Sequence, residues 1–263
     1  MSNDFPHLIV KQTEDICWVQ INRPEDRNSL HSDLISELTR FIESIEGTNT
    51  RAIVFRGVGE TYFIGGADGV EMHLLSPSEA KAFSINIQNL FNRMEASPLL
   101  MVAAINGLCF GGGCEFALAC DFRIASKQAR IGLPEVKVGI IPGGGGTQRL
   151  SRLVGVGKAL KIILEGHLFS GEEAFELGLV HYLVEHQELE KKGEEILRKI
   201  FVIPQHALSS AKKAVYASQY LSFSQGLQVE TEEFGKCFIH DYFRKLIKDQ
   251  LKDGRLKTTL RLQ

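Results

Sequence analysis

Glu115 and Glu135 stand just behind two glycine-rich turns, in INGLCFGGGCEFALACD (105–121) and IGLPEVKVGIIPGGGGTQRL (131–150). A glycine turn that opens a helix aims backbone N–H groups outward, with no intrahelical acceptor, and the helix end favours an anion. A carboxylate beside such a site can move a proton while the N–H groups hold developing negative charge. Two carboxylates in one pocket push their pKa values apart, so that one serves as acid and the other as base. A third turn, Gly65–Gly66–Ala67–Asp68, adds to the set. Glu115 lies one turn into a helix otherwise made of Phe, Ala, Leu and Cys, where a charge costs desolvation unless it has a partner or a task. Glu135 follows Pro134 and precedes the apolar run VKVGII. Plainer readings stay open: the glycines serve tight turns and close packing, and each glutamate is a solvated side chain.

Several named chemistries are excluded. No Gly-Lys-Ser/Thr follows any glycine cluster, so there is no phosphate loop of the Walker type. Neither glycine cluster has the GxGxxG order of a dinucleotide fingerprint. No His/Cys cluster has metal-ligand spacing, so no metal is expected.

The elements that must position these residues alternate in the first half. HLIVKQ and ICWVQIN read as a hairpin, and Ser32 or Asp33 is expected to cap the amphipathic run DLISELTRFIESIE. RAIVFRG is a buried strand, 78–94 has helical spacing, and LLMVAAING is an apolar strand ending at a turn. GGCEFALAC is a short helix between that strand and the strands DFRIAS and ARIGL. YFIGGADGVEM reads as a glycine turn leading into polar, mobile sequence. Beyond 150 the pattern is mostly helical, with VHYLV as the one expected strand. The fold class is therefore α/β, with a core over 1–200 and a helical region over 201–263.

The 263 residues are 44% hydrophobic and 24% charged, which suits a soluble chain with a real core. A net charge of −2 argues against nucleic acid or an anionic membrane as partner, and the acids inside LEKKGEEILRKI weaken any RNA-binding reading. No apolar run reaches the roughly 20 residues of a membrane helix, and MSNDFPHLIV lacks the pattern of a secretory signal. The five cysteines, without CxxC spacing, read as reduced thiols in a cytoplasmic protein.

GADGVEM, INGLCFGGGCEFALACDFRIAS and IGLPEVKVGIIPGGGGTQRLSRLVG, in this order and spacing, resemble the signature blocks of the enoyl-CoA hydratase/isomerase (crotonase) superfamily. The likeness runs from INRPEDRNSL to about GLVHYLV. It implies a crotonase-like spiral of ββα units with a helical C-terminal trimerisation region, assembled as a homotrimer or homohexamer. It also implies an acyl-CoA thioester as substrate, in fatty acid metabolism, with no cofactor. By carry-over, the backbone N–H groups of Ala67 and Gly112 form an oxyanion hole, Glu115 holds and deprotonates water, and Glu135 protonates the α-carbon. Arg27, Gly65, Gly66, Asp68 and Gly111 are the implied substrate-binding positions, with Arg23 a further candidate for the CoA phosphates. Asp68 also reads as a helix cap. The implied reaction is reversible hydration of a trans-2-enoyl-CoA. The alternatives are an isomerase, a hydratase of branched or cyclic acyl-CoA, or a non-catalytic CoA-binding scaffold.

The chain departs from the pattern in three places. Val70 stands where family hydratases often carry a basic residue, Gly69 replaces a bulkier apolar one, and the usual C-terminal ending is missing. In the tail, Phe238, Tyr242 and Phe243 are read as helix-core packing or as the lining of an acyl tunnel, and His240 as a surface histidine.

Overall fold

Short apolar runs bounded by turns become strands, and longer runs with helical apolar spacing become helices, in the computed structural model of the chain. The structure describes residues 4–253 and 255. The first elements are β1 (Leu8–Thr13), β2 (Ile16–Ile21), α1 (Ser32–Ile45), β3 (Ala52–Gly57), β4 (Tyr62–Ile64), α2 (Gly69–Met72) and α3 (Pro77–Ala96). There follow β5 (Leu100–Ile105), β6 (Leu108–Phe110), α4 (Gly112–Leu118), β7 (Phe122–Ser126) and β8 (Arg130–Gly132). A 3-10 turn at Glu135–Val138 leads to α5 (Gly146–Val154), α6 (Val156–Glu165), β9 (Leu168–Ser170), α7 (Gly171–Glu176), β10 (Tyr182–Val184) and α8 (Leu189–Ile200). The last helices are α9 (Gln205–Tyr220), α10 (Phe223–Cys237) and α11 (Tyr242–Lys252).

The pairs β3/β4, β5/β6 and β7/β8 each send the first strand to one sheet and the second to another. One sheet has the order β1-β2-β3-β5-β7-β10 and the other β4-β6-β8-β9. Within them β3, β5 and β7 are parallel neighbours, as are β4, β6 and β8. The result is a spiral of ββα turns stacked along both sheets. A parallel strand covered on both faces needs apolar residues at every position, and all six residues of β5 are buried. Phe116 of α4 joins the layers. Its ring meets Phe55 of β3 at 5.0 Å, Phe63 of β4 at 6.1 Å and Phe91 of α3 at 5.8 Å. Next to it, a Cβ on Gly113 would lie 2.1 Å from the Ile64 carbonyl oxygen, so only glycine lets α4 approach β4 this closely.

The chain divides into two compact units, Met1–Ile200 and Phe201–Gln263. In the second, α9 packs against α10, and the buried Glu233 accepts from Ser210 and pairs with Lys213 and Lys236. Phe238 touches Phe234 and Phe243, and Tyr242 and Phe243 are each about half exposed (50% and 51%). These rings form a surface cluster within the unit rather than core packing, because short amphipathic helices with polar spacers cannot enclose them alone. His240 is exposed and stacks on His206. The rest of the tail, 254 and 256–263, lies outside the described residues.

Three sequence expectations change. The N-cap of α1 is His31, not Ser32 or Asp33, because the Ser32 amide and hydroxyl both reach Glu71 across the fold. GADGVEM is ordered into α2, with the Asp68 side chain accepting from the Val70 and Glu71 amides. Strands β4, β6 and β9 go beyond the expected ones, β9 being a second strand after residue 150, because these short segments beside turns and helix starts are defined only by their sheet partners. Replacing Phe116 by Ala is expected to lower the unfolding free energy by about 3–5 kcal/mol, measured by guanidinium titration. A loss below about 1 kcal/mol would contradict its role as the link between layers.

Candidate active site

The parallel order β4-β6-β8 places the C-terminal ends of three strands side by side. Ala67 comes shortly after β4, Gly112 and Glu115 after β6, and Glu135 after β8. Each coil of the spiral therefore delivers one part of the site to the same edge.

Ala67 is held through its neighbours. It forms an isolated parallel bridge with Leu30, in which the Leu30 amide donates to the Gly66 carbonyl and the Asp68 amide donates to the Leu30 carbonyl, both at 2.8 Å. Such a bridge uses the peptide groups flanking Ala67 and turns its own N–H away from Leu30. On that other side is Gly112, where a Cβ would sit 3.1 Å from the Ala67 nitrogen. Gly112 is the first residue of α4, so its N–H has no intrahelical acceptor. Two amides are thus presented together.

Glu115 is 2% exposed. Its Oε1 accepts from the Gly144 amide at 2.8 Å and the Gly146 amide at 2.7 Å. A Cβ on Gly146 would lie 2.8 Å from that same oxygen, so a side chain there would displace the carboxylate. Burial raises its pKa, while the two amides and the Arg149 guanidinium oppose the rise.

Glu135 starts the 3-10 turn and is half-buried. Its Oε1 points at Gly111, 3.1 Å from where a Cβ would stand, and its buried Oε2 has no hydrogen-bond partner. Burial first, then the charge of Glu115, pushes its pKa up to about 7, against a hydrogen bond from its own backbone. The two glutamates therefore stand in unlike surroundings, both with raised pKa values. Glu115 Oε1 accepts from two loop amides, whereas Glu135 has only its own backbone as donor and a buried Oε2 without a partner, and the charge of Glu115 adds to the rise at Glu135. The Cys114 thiol beside them is driven up by burial and by both carboxylates, which keeps it protonated.

The remaining sequence candidates occupy supporting places. The Gly65 amide donates to the Arg27 carbonyl, the Gly66 carbonyl serves the Leu30 bridge, and the Gly111 amide donates to the Gly132 carbonyl. Arg27 itself is exposed, with a left-handed φ of 59°. Asp68 caps α2 and meets Arg23, whose guanidinium also reaches Asp26 and the Ser29 carbonyl. Arg23 is thereby engaged with carboxylates of its own chain. Among the described residues no group of three or more His, Cys, Asp or Glu side chains converges to hold a metal, and no helix is long and apolar enough to cross a membrane. Motif reading passes over Arg149 and the polar residues of α3. Their available signal is the stripe 84, 88, 92, 95 on an otherwise apolar-faced helix.

Residues 11–252 match the enoyl-CoA hydratase/isomerase family. The chain is 40% identical over 236 residues to a short-chain-enoyl-CoA hydratase of Clostridium acetobutylicum, covering 89% of this chain and 90% of that protein. It is 35% identical over 235 residues to a crotonyl-CoA hydratase of Syntrophomonas wolfei, with 89% and 90% covered. The crystal structure of an enoyl-CoA hydratase from Bacillus anthracis superposes with a TM-score of 0.87 at 35% identity, covering 98% of this chain and 100% of that one. The chain belongs to the enoyl-CoA hydratase/isomerase family, and its spiral of ββα units is that family's crotonase fold.

Because Glu135 is raised in the folded state, its protonation stabilises the fold below the ordinary carboxylate range, and that contribution is lost as pH rises through about 7. Carbon-13 NMR of the glutamate carboxyls is expected to show Glu135 titrating near that value. In Glu115→Gln its midpoint moves down, since the neighbouring charge is gone. A wild-type midpoint in the ordinary carboxylate range would refute this account.

Proposed function

We propose that this chain is an enoyl-CoA hydratase, adding water reversibly to a trans-2-enoyl-CoA to give a 3-hydroxyacyl-CoA. The reading is supported by the meeting of the Ala67 and Gly112 amides with two carboxylates in unlike surroundings.

In this reading the thioester oxygen lies against the two amides. Glu115, its charge supported by two N–H groups, takes a proton from water as the water oxygen bonds to the β-carbon. The π electrons of the double bond move into the enolate, whose charge rests on the thioester oxygen. Glu135, protonated near neutrality, gives its proton to the α-carbon. Glu115 ends protonated and Glu135 ionised, and proton exchange with solvent restores both. One oxyanion donor in such a site typically contributes ~10²–10³ in rate, and general acid–base help ~10²–10⁴. No cofactor takes part in these steps.

The names of the relatives point to a four-carbon acyl group as the first substrate to try. For the CoA phosphates, the depression beside α2 is a poor cradle. Val70 is 75% exposed there and brings no cation, and Arg23, which lines it with His31, is already paired with Asp26 and Asp68, while Asp33 and Glu71 add further negative charge. Arg27 is the proposed cation instead. The exposed Phe223, Phe234 and Ile239 of the second unit support assembly into a trimer or a dimer of trimers. The five unpaired thiols fit a cytoplasmic setting.

With crotonyl-CoA, loss of the conjugated-thioester absorbance is the readout. Glu115→Gln and Glu135→Gln are each expected to lower kcat by ~10²–10⁴ while leaving KM near wild type. Failure with every trans-2-enoyl-CoA, alongside turnover of a 3-enoyl-CoA, would make the protein an isomerase.

A further inference from the structure

The peptide joining Gly143 to Gly144 links helix α3 to the carboxylate proposed to hold water. The Gly143 carbonyl accepts from the Ser84 hydroxyl at 2.6 Å and from Gln88 Nε2 at 2.8 Å, both on α3. Gln88 Nε2 also donates to the Ser84 hydroxyl at 3.1 Å. A trans peptide is planar, with its C=O and N–H pointing oppositely. Anchoring the Gly143 oxygen on α3 therefore aims the Gly144 N–H at Glu115 Oε1, where it lies 2.8 Å away.

The next peptide is anchored as well. Arg149 Nη1 donates to the Gly144 carbonyl at 3.0 Å. Its Nε donates to Glu95 Oε1 at 2.6 Å and its Nη2 to Asn92 Oδ1 at 2.8 Å. Glu95 is 6% exposed, so this is an ion pair largely removed from water, and the guanidinium also lies over the Phe91 ring at 5.8 Å. Ser84, Gln88, Asn92 and Glu95 follow one another by four, four and three residues, which places them on one stripe of α3. Phe83, Ile87, Leu90, Phe91 and Met94 bury the adjoining stripe. A glycine loop without side chains cannot hold its own peptide planes, so this face of α3 holds them.

We propose that Ser84, Gln88 and the Arg149–Glu95 pair are positioning residues for Glu115: through the Gly143–Gly146 loop they fix the direction of its carboxylate. The proposal rests on the hydratase reading, in which Glu115 acts as the base. The charged and titratable groups around Glu115 are Arg149 from α5, Glu135 from the 3-10 turn, Cys114 from its own helix, and Glu95 behind Arg149. Arg149 lowers the pKa of Glu115, so losing the guanidinium or the aligned amides raises it.

The test is the pH profile of kcat/KM for crotonyl-CoA hydration in the full chain. Ser84→Ala/Gln88→Met removes the anchor without stranding a buried charge. It is expected to lower kcat by about 10- to 100-fold, with KM near wild type and the acid limb moved upward. Glu95→Gln/Arg149→Met removes both members of the ion pair, avoiding an unpaired buried charge, and is expected to move the limb the same way. A role in stability alone would lower the unfolding midpoint and leave the acid limb in place. Glu115→Gln is run beside them. If it is inactive while both double variants keep the wild-type kcat and acid limb, the positioning proposal falls alone. If Glu115→Gln keeps wild-type turnover, the hydratase role of Glu115 falls and the positioning proposal with it.

Discussion

Burying Glu115 constrains the first unit more than any other single contact. A carboxylate at 2% exposure has lost nearly all its water, and its charge survives only where donors replace it. Here the donors are the amides of Gly144 and Gly146, which must come close enough that a side chain on either would collide with the carboxylate. The glycine run is thus a consequence of the buried charge. A run so flexible needs outside anchors, which α3 and Arg149 provide. Helix α4 carries Glu115 against the β4 strand, and the same helix presents Gly112 beside Ala67.

The spiral makes this economical. Parallel neighbours β4, β6 and β8 end on one side, so successive coils deposit an amide, an amide with a carboxylate, and a second carboxylate at one place. Two residues of the same type then differ through their surroundings alone. Glu115 receives two N–H groups and Glu135 receives none on its buried oxygen, so the same side chain meets two different environments. Asp68 plays a different part from either. Its carboxylate is occupied by the α2 amides and Arg23, and its own amide completes the Leu30 bridge that turns Ala67 outward.

Gly69 opens α2, and a Cβ there would meet nothing within 4 Å, so the small residue is not demanded by packing. Val70 is exposed beside it. In the second unit Phe223, Phe234 and Phe243 are exposed.

The sequence by itself determined the α/β rhythm, the long strands and helices, and the two glutamates as the residues able to do acid–base work. Apolar periodicity and glycine-flanked charges are local properties, readable in a line of residues. The cap of α1 shows where that reading stops: Ser32 is a good capping residue, yet its hydroxyl goes to Glu71, 39 positions away. The short strands β4, β6 and β9 lie beside turns and a helix start, and only their sheet partners define them. Arg149 and Glu95 look like ordinary surface charges until packing brings them together over Phe91. Only the tertiary structure decided how the surroundings of the two glutamates differ, because pKa depends on the donors and charges within a few ångströms, and these come from segments far apart in the chain.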